Sequence, residues 1–306
     1  MSAPSIRPPR VPVTVMVLTF NEEHNLARCL ESVSDWAAEI LIVDSGSTDD
    51  TLTIASTRGA RIVSHPFETH ARQWAWALAN VTVNTSWVLG LDADQALTPD
   101  LQRQITERLN GETQANGYYV RRRQVFRGRW IRHGGYYPKH LLKLFRREHA
   151  SVDVHELVDH HFHVSGPTAV IEADLIEDNR NEATIAVWTE KHNRYAALQA
   201  RQELRACNDA SRVGVRALFG SPDDRTRWCK QLWARLPLFV RPCVYVTYRY
   251  VIRLGILDGK EGFIFHVLQA FWYRLLVDIN IDESRKSLPV EAAATPVTHT
   301  QPEQGL

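Results

Sequence analysis

A chain of 306 residues with 36 Lys or Arg against 35 Asp or Glu, 44% hydrophobic and 23% charged, belongs to none of the disordered, collagen-like or polyelectrolyte classes. At about 150 residues per domain, its length holds one large α/β domain with an appendage, or two modest domains. A net charge of +1 and the lack of a recognisable nucleic-acid module argue against nucleic acid as a partner.

Residues 1–12 (MSAPSIRPPRVP) read as a disordered lead-in without the apolar stretch of a signal peptide. Val13 to Thr19 is a continuous β-favouring run, and Asn21-Glu22-Glu23 then supplies a helix cap and an acidic first turn. Leu26, Cys29, Leu30 and Val33 make one apolar stripe of a helix ending near Trp36. The unit repeats: Glu39 to Asp44 is a strand, Ser47 or Thr48 caps a helix through about Arg58, and Arg61 to His65 is another strand. A helix follows from about Thr69 to Asn80, then a strand from Ser86 to Leu91 that runs into Asp92-Ala93-Asp94, and Thr98-Pro99 opens a further helix. Strand and helix in alternation predict a parallel, doubly wound sheet. Such sheets bind ligands beyond the carboxyl ends of their strands, where the polar clusters Thr19 to Glu23, Asp44 to Asp49 and Asp92 to Gln95 all fall.

After residue 115 the pattern loosens. Gly117 to Arg123 and His140 to Arg146 are extended segments flanking a His133-Gly134-Gly135-Tyr136-Tyr137-Pro138 loop, and Glu182 to about Val213 is a long helix. Between Arg121 and Arg147 there are ten Lys or Arg and no Asp or Glu, which predicts an anion site. Trp228 to Tyr273 carries eleven aromatic residues interleaved with Arg and Lys. These stretches suit helices lying in a membrane interface or a buried hairpin. The longest charge-free run there, Gly262 to Tyr273, is twelve residues, short of the roughly twenty a spanning helix needs, so no transmembrane helix is expected. Cys29, Cys207, Cys229 and Cys243 are scattered and form neither a zinc ribbon nor a redox pair, which fits a reduced, cytoplasmic compartment.

The two carboxylates of Asp92-Ala93-Asp94 stand at a strand exit, where an extended backbone would send both to the same side and where hard oxygen ligands suit Mg2+ or Mn2+ completed by water and a diphosphate. Taken with Leu18-Thr19-Phe20-Asn21-Glu22-Glu23 and Ile42-Val43-Asp44-Ser45-Gly46-Ser47-Thr48-Asp49-Asp50-Thr51, this D-x-D resembles the family 2 glycosyltransferases in order, spacing and position relative to strands. The later Gly134-Gly135-Tyr136-Tyr137-Pro138 and His155-Glu156 are most similar to the bacterial branch of lipopolysaccharide core glucosyltransferases.

The resemblance implies a GT-A fold, a Rossmann-like nucleotide-binding sheet with an acceptor-side extension, here followed by C-terminal amphipathic helices. The expected boundaries are 13–213 for the transferase domain, 214–285 for the helical, membrane-interfacial region and 286–306 for a disordered tail. It also implies an inverting transfer of a hexose, with UDP-glucose the favoured UDP-sugar donor, to a lipid-linked, lipopolysaccharide or exopolysaccharide glycan acceptor on the inner face of the cytoplasmic membrane. Thr19, Glu22, Asp44 and Asp92 would hold the donor, Asp94 with Asp92 the metal, and Glu156 would be the base, with His155 and Asp153 as competitors. Helix capping for Thr19 and Glu22 and a turn role for Asp44 stay open beside these roles. Gln73 matches a position near the donor but reads more simply as a helix-surface residue. Two departures stand out: Gln95 follows the D-x-D where relatives often carry Glu, and Ile176-Glu177-Asp178-Asn179-Arg180 lacks the His that many relatives place after the base. A sugar nucleotidyltransferase shares the broad fold, but no Gly-rich triphosphate loop follows the first strand. A non-catalytic nucleotide-sugar-binding membrane scaffold is the remaining alternative.

Overall fold

The computed structural model describes residues 10–158, 160–182, 184–208, 233 and 235–291. Strand β1 (Val11–Thr19) is buried along nearly its whole length, as a strand covered by helices on both faces must be. It pairs in parallel with β2 (Ala37–Asp44) and β4 (Trp87–Asp92), and β3 (Arg61–Ser64) lies outside β2. Helices α1 (Glu23–Glu31), α2 (Thr51–Thr57), α3 (His70–Asn80) and α4 (Pro99–Asn110) complete this half. The register sets Thr19 beside Asp44 and Leu18 beside Asp92, so the three polar loops leave one edge of the sheet together.

Two helix starts follow the expected capping chemistry. Thr69 Oγ1 accepts from the Arg72 amide and Thr98 Oγ1 from the Leu101 amide, with Pro99 in the first turn of α4. The other two differ. Asn21 takes a left-handed backbone (φ 53°) and caps nothing in α1, and α2 begins at Thr51 rather than near Ser47. The reason is a zipper between the loops: the Asn21 amide donates to Ser47 Oγ, Asn21 Oδ1 accepts from the Thr48 amide, and the Glu22 amide donates to Thr51 Oγ1.

Beyond β4 the sheet is mixed, which corrects the expectation of a purely parallel one. Its order is β3-β2-β1-β4-β8-β6-β11-β5. Here β8 (Lys139–Arg146) runs antiparallel to both β4 and β6 (Gly117–Phe126), because β6 returns through β7 (Arg129–Trp130) and the 133–138 loop along the same edge. Strand β11 (Thr168–Glu177) is parallel to β6, and the short β5 (Gln95–Leu97) pairs antiparallel with β11. A separate ribbon, β9 (Ala150–Val152) with β10 (Phe162–Val164), packs near α3.

Helix α5 (Ile185–Asn208) starts later than expected, since Arg180–Glu182 is a 3-10 turn, and the expected end near 213 lies outside the described residues. It packs against α8 (Tyr273–Glu291), whose Tyr273, Val277 and Ile281 meet Ala196 and Ala200. Helix α8 runs past the expected boundary at 285. Helices α6 (Val240–Thr247) and α7 (Gly259–His266) precede it, linked through a π-turn at Tyr248–Ile252 and a 3-10 turn at Gly255–Asp258. A second π-turn, Val267–Trp272, joins α7 to α8. The stretch Gly255–Lys286 is long and apolar enough to cross a membrane by length and composition, where the charge-free run led us to expect none: a continuous helix tolerates the isolated Arg274 and Asp278 that interrupt the run. Part of this stretch is core, since Phe265 packs with Phe126 and Tyr136, and Asp278 is buried against Arg241 at 2.5 Å.

Candidate active site

Thr19 and Asp44 end neighbouring strands and are both buried. Thr19 Oγ1 donates to Asp44 Oδ1 (2.9 Å), Ser47 Oγ donates to the same oxygen (2.6 Å), and Oδ2 accepts from the Gly46 and Ser47 amides (2.8 and 2.9 Å). Four hydrogen bonds thus lock the Asp44 carboxylate into its own turn, where Gly46 supplies the positive φ of 92°. Gln73 is no surface residue. It is buried and joins Ser45 Oγ, the His65 carbonyl and His65 Nδ1, so it braces the same turn from α3.

The D-x-D does not continue as a strand. β4 stops at Asp92, Ala93 and Asp94 form a turn, and the two carboxylates meet different company. Asp92 Oδ2 accepts from the buried Lys143 ammonium of β8 at 2.9 Å. Burial alone would raise the Asp92 carboxyl, but Lys143, aided by His160 and His70, outweighs it and holds the group well below the usual carboxylate range. Asp94 is pushed well above its ordinary value, first by burial and then by Glu177, Asp92 and Glu22, with Lys191 of α5 opposing. Its backbone carbonyl, by contrast, is tightly fixed by the Arg28 guanidinium and the Asp178 amide.

Glu22 joins this acidic group from the β1–α1 loop. Its Oε2 accepts from Asn25 Nδ2 (2.8 Å) and Asn181 Nδ2 (3.0 Å); Glu22 stands at the N-cap position of α1, but its side chain is held by these amides and makes no capping bond. Burial raises it, against Asn25 and Lys191. The Asp178-to-Glu182 segment therefore docks on the first loop: Arg180 N donates to Asn25 Oδ1, and Asn179 Nδ2 reaches Glu182 Oε1, which also takes Lys191 Nζ at 2.6 Å. Gln95 donates to Glu177 Oε2 and accepts from the Asp92 amide, so an acid from β11 is clamped beside the position where Gln95 itself brings none.

Glu156 lies in the loop between β9 and β10. Both its oxygens face His161, one accepting the His161 amide (2.8 Å) and the other 2.7 Å from Nδ1. Asp153 is spent on the local turn, accepting from the exposed His155 amide. The loop touches α5 through the Leu157 amide and Gln202, and its His160 packs 5.4 Å from Trp74 and acts electrostatically on Asp92. The structure thus sets Glu22, Asp92 and Asp94 within electrostatic reach of one another, ends the strands of Thr19 and Asp44 on the same edge, and puts Glu156 on a loop that reaches Asp92 through His160.

The basic run is mostly not an open anion site. Arg121 and Arg123 grip Asp174, Arg122 grips Glu177, Arg147 donates to the Leu78 carbonyl, and Arg146 lies 4.7 Å over the Trp87 ring. The missing acids come from β11, some fifty residues on, which a count along the chain does not register. Lys143 is the member of the run that reaches the D-x-D. A lysine inside the apolar run Leu141-Leu142-Lys143-Leu144-Phe145 was the signal for it; Glu177, Lys191 and His161 carried none.

Among the described residues no three His, Cys, Asp or Glu side chains converge as a ready metal cage. The raised Asp94 beside Asp92 is instead the donor set of an ion held by one or two carboxylates and completed by diphosphate oxygens, so the residues fit that kind of site.

Residues 14–177 match the model of the family described as Glycosyl transferase family 2. The chain belongs to this family. Family 2 relatives include the lipopolysaccharide core biosynthesis glycosyltransferase LpsC of Rhizobium meliloti, 31% identical over 160 residues that cover 49% of this chain and 56% of LpsC. An uncharacterized glycosyltransferase of Rickettsia typhi is 39% identical over 93 residues, 30% of this chain and 31% of that one. The chain thus aligns with about a third to a half of these relatives' length. Glucosyl-3-phosphoglycerate synthase of Mycobacterium tuberculosis, solved with Mn2+, UDP and glucosyl-3-phosphoglycerate, is 25% identical over 36% of this chain and 44% of that chain, at a TM-score of 0.30. The family match covers the sheet, from within β1 to the end of β11; the C-terminal helices lie beyond it.

Proposed function

We propose that this glycosyltransferase moves a hexose, with UDP-glucose as donor, onto a lipopolysaccharide or other lipid-linked glycan at the cytoplasmic face of the membrane, with inversion at the anomeric carbon. The observation that carries the reading is the electrostatic grouping of Glu22, Asp92 and Asp94 at the strand-end edge, with Lys143 and Lys191 as the opposing cations. Asp94 would hold Mg2+ or Mn2+, with Asp92 as the second carboxylate; when bound, the ion neutralises charge on the departing diphosphate. The zipped Thr19–Glu22 and Asp44–Asp49 loops would form the nucleoside cradle, Asp44 and Thr19 fixing its shape.

The Lys143 ammonium keeps Asp92 ionised and oriented, so Asp92 is suited to accept hydroxyls of the donor ribose or sugar. Lys191 acts on Asp94 and Glu22 and tempers their mutual repulsion. Glu156 would take the proton of the attacking acceptor hydroxyl. His161, bonded to both its oxygens, holds the carboxylate in place and shares the charge as the proton arrives.

The test is UDP release from UDP-glucose by the full chain with Mn2+ and bacterial lipopolysaccharide core as acceptor, comparing wild type with Glu156→Gln. Acceptor-dependent release should fall by about 100-fold or more in the variant, the usual share of a general base, with UDP binding unchanged. Undiminished turnover in Glu156→Gln would remove Glu156 from the role, and no release from any UDP-, GDP- or dTDP-sugar would remove the donor reading.

A further inference from the structure

Apolar side chains left outside are concentrated in one place. Among the described residues, ten of the fifteen large apolar side chains that stay exposed lie between Phe239 and Phe263, including Val251, Ile252, Leu254, Ile256 and Leu257, with Ile252 at 66% exposure. Two of the four non-glycine residues with a left-handed backbone, Phe239 (φ 68°) and Leu254 (φ 59°), are in this set. A large apolar residue adopts that conformation only when its surroundings impose it, and here it turns the side chain outward.

The segment is nonetheless firmly seated. Arg249 donates to the Gly134 carbonyl and lies 4.4 Å over the Tyr136 ring, the Gly134 amide donates to the Arg253 carbonyl, and Asp258 accepts from the Arg132 and His133 amides. His266 fills the space between Gly134 and Gly255 so closely that a Cβ on either would lie 2.1 or 2.4 Å from its ring. The exposed apolar surface is therefore a built feature fixed to the 133–138 loop. That loop joins β7 to β8, whose first residue, Lys139, pairs with Arg122 in the middle of β6; Arg122 meets Glu177, which Gln95 holds beside the D-x-D.

The exposed charge around it is mainly positive. Arg127, Arg129 and Arg132 on the β6–β7 hairpin are exposed, as are Arg253 and Lys260, and none of the five forms an ion pair among the described residues. Arg129 comes within 3.7 Å of where a Cβ on Gly259 would sit, which puts the hairpin's cations against the apolar segment. Of the two acids within the segment, Asp258 is buried under His133 and Glu261 lies partly covered in the first turn of α7.

We infer that the 239–263 surface, with the Arg127–Arg132 hairpin beside it, is a membrane-docking face that inserts its apolar side chains into the interface of a bilayer carrying anionic lipid headgroups. An apolar patch ringed by unpaired cations matches such a surface on both counts. Docking there turns the acceptor side of the catalytic edge toward the bilayer. This inference rests on the proposal of a membrane-borne acceptor and names the surface that meets it.

The experiment is co-sedimentation of the full chain with vesicles of phosphatidylethanolamine and phosphatidylglycerol, against vesicles of phosphatidylcholine alone. Wild type is compared with the exposed-site variant Ile252→Ser/Ile256→Ser/Leu257→Ser, with UDP binding and sedimentation velocity measured on both. The expected result is binding to the anionic vesicles that weakens with salt, at least tenfold weaker binding by the variant, and the same UDP affinity and oligomeric state in both. Failure of the wild type to bind anionic vesicles overturns the inference while leaving the glycosyltransferase reading intact, provided UDP binds. Equal binding by the variant overturns the assignment of the surface. A wild-type dimer that the variant converts to monomer, without a change in vesicle binding, assigns the face to a second copy of the chain instead. Loss of UDP binding in the wild type with vesicle binding retained would strike the donor reading and spare this one.

Discussion

The strand-end loops of the first hundred residues and the helical region after residue 233 are both built around polar clamps, but they use apolar residues in opposite ways. In the first, every long apolar run is sealed: Val13, Val15, Met16 and Val17 have no exposure, and polar side chains appear at the edge only where the loops meet. In the second, the clamps of Arg241 with Asp278 and of Asp258 with His133 lie inside, while Ile252, Leu254 and Ile256 stay outside. Hydrophobic burial fixes the position of the strand-end loops. In the helical region, the buried Arg241–Asp278 pair and the hydrogen bonds of the buried Asp258 anchor a surface whose apolar residues remain available.

The strongest way to break that contrast is to cut the buried clamp. Arg241→Leu leaves the buried Asp278 without its guanidinium, while Glu203 keeps Arg274, and an uncompensated buried charge costs about 3–5 kcal/mol. Urea unfolding should show a loss of this size, whereas Arg241→Leu/Asp278→Leu should recover much of it. A loss under about 1 kcal/mol in the single variant would mean the pair anchors nothing.

A second test uses pH. His266 is buried among Tyr136, Tyr250 and Phe265 with neither ring nitrogen hydrogen-bonded among the described residues, and burial pushes its pKa from 6.5 down to about 4, Asp258 opposing and Arg249 assisting. Between those two values the unfolded chain binds the proton and the folded chain does not, so stability falls as pH drops through that window. The full effect is at most roughly 3 kcal/mol. Unfolding free energies measured at pH 7 and pH 4.5 should lie closer together in His266→Gln than in wild type; an unchanged difference would show that the ring is protonated without cost.

The smallest expected effect sharpens the other side of the comparison. Asp92 is held low, so its contribution to stability is complete above its unfolded value and is lost as pH falls through the folded one. Lys143→Met removes the cation responsible. With the Asp92 side chain one-third exposed, the loss at neutral pH should be about 1 kcal/mol, and acid unfolding should begin at higher pH. A variant indistinguishable from wild type in acid would mean that Lys143 does not set the charge of Asp92.

Much of the donor half was legible in the residues. Apolar runs located the four parallel strands, and Thr69 and Thr98 marked two helix starts, because those signals act within a few residues. Asn21, Ser47 and Thr48 misled for the converse reason: their side chains bond across twenty-six or more residues to a neighbouring loop, a use that local capping logic does not see. The antiparallel turn of β8 and the neutralisation of Arg121 to Arg123 by β11 are likewise facts of topology. Of the candidate site, Glu22, Asp92 and Asp94 were visible from their place at strand ends. Glu177, Lys191 and His161 were not, since each matters only through what the folded chain sets against it.

The account depends above all on Asp94 being the residue through which a divalent cation joins the donor diphosphate to the strand-end edge. Calorimetric titration of UDP into the full chain, with Mn2+ and with chelator, in wild type and Asp94→Ala, tests this directly. The account predicts binding that is at least tenfold tighter with Mn2+ in wild type, and a Mn2+ effect abolished in Asp94→Ala with the fold retained by circular dichroism. A wild type that binds UDP equally well without metal, or a variant that keeps the full Mn2+ effect, would contradict it.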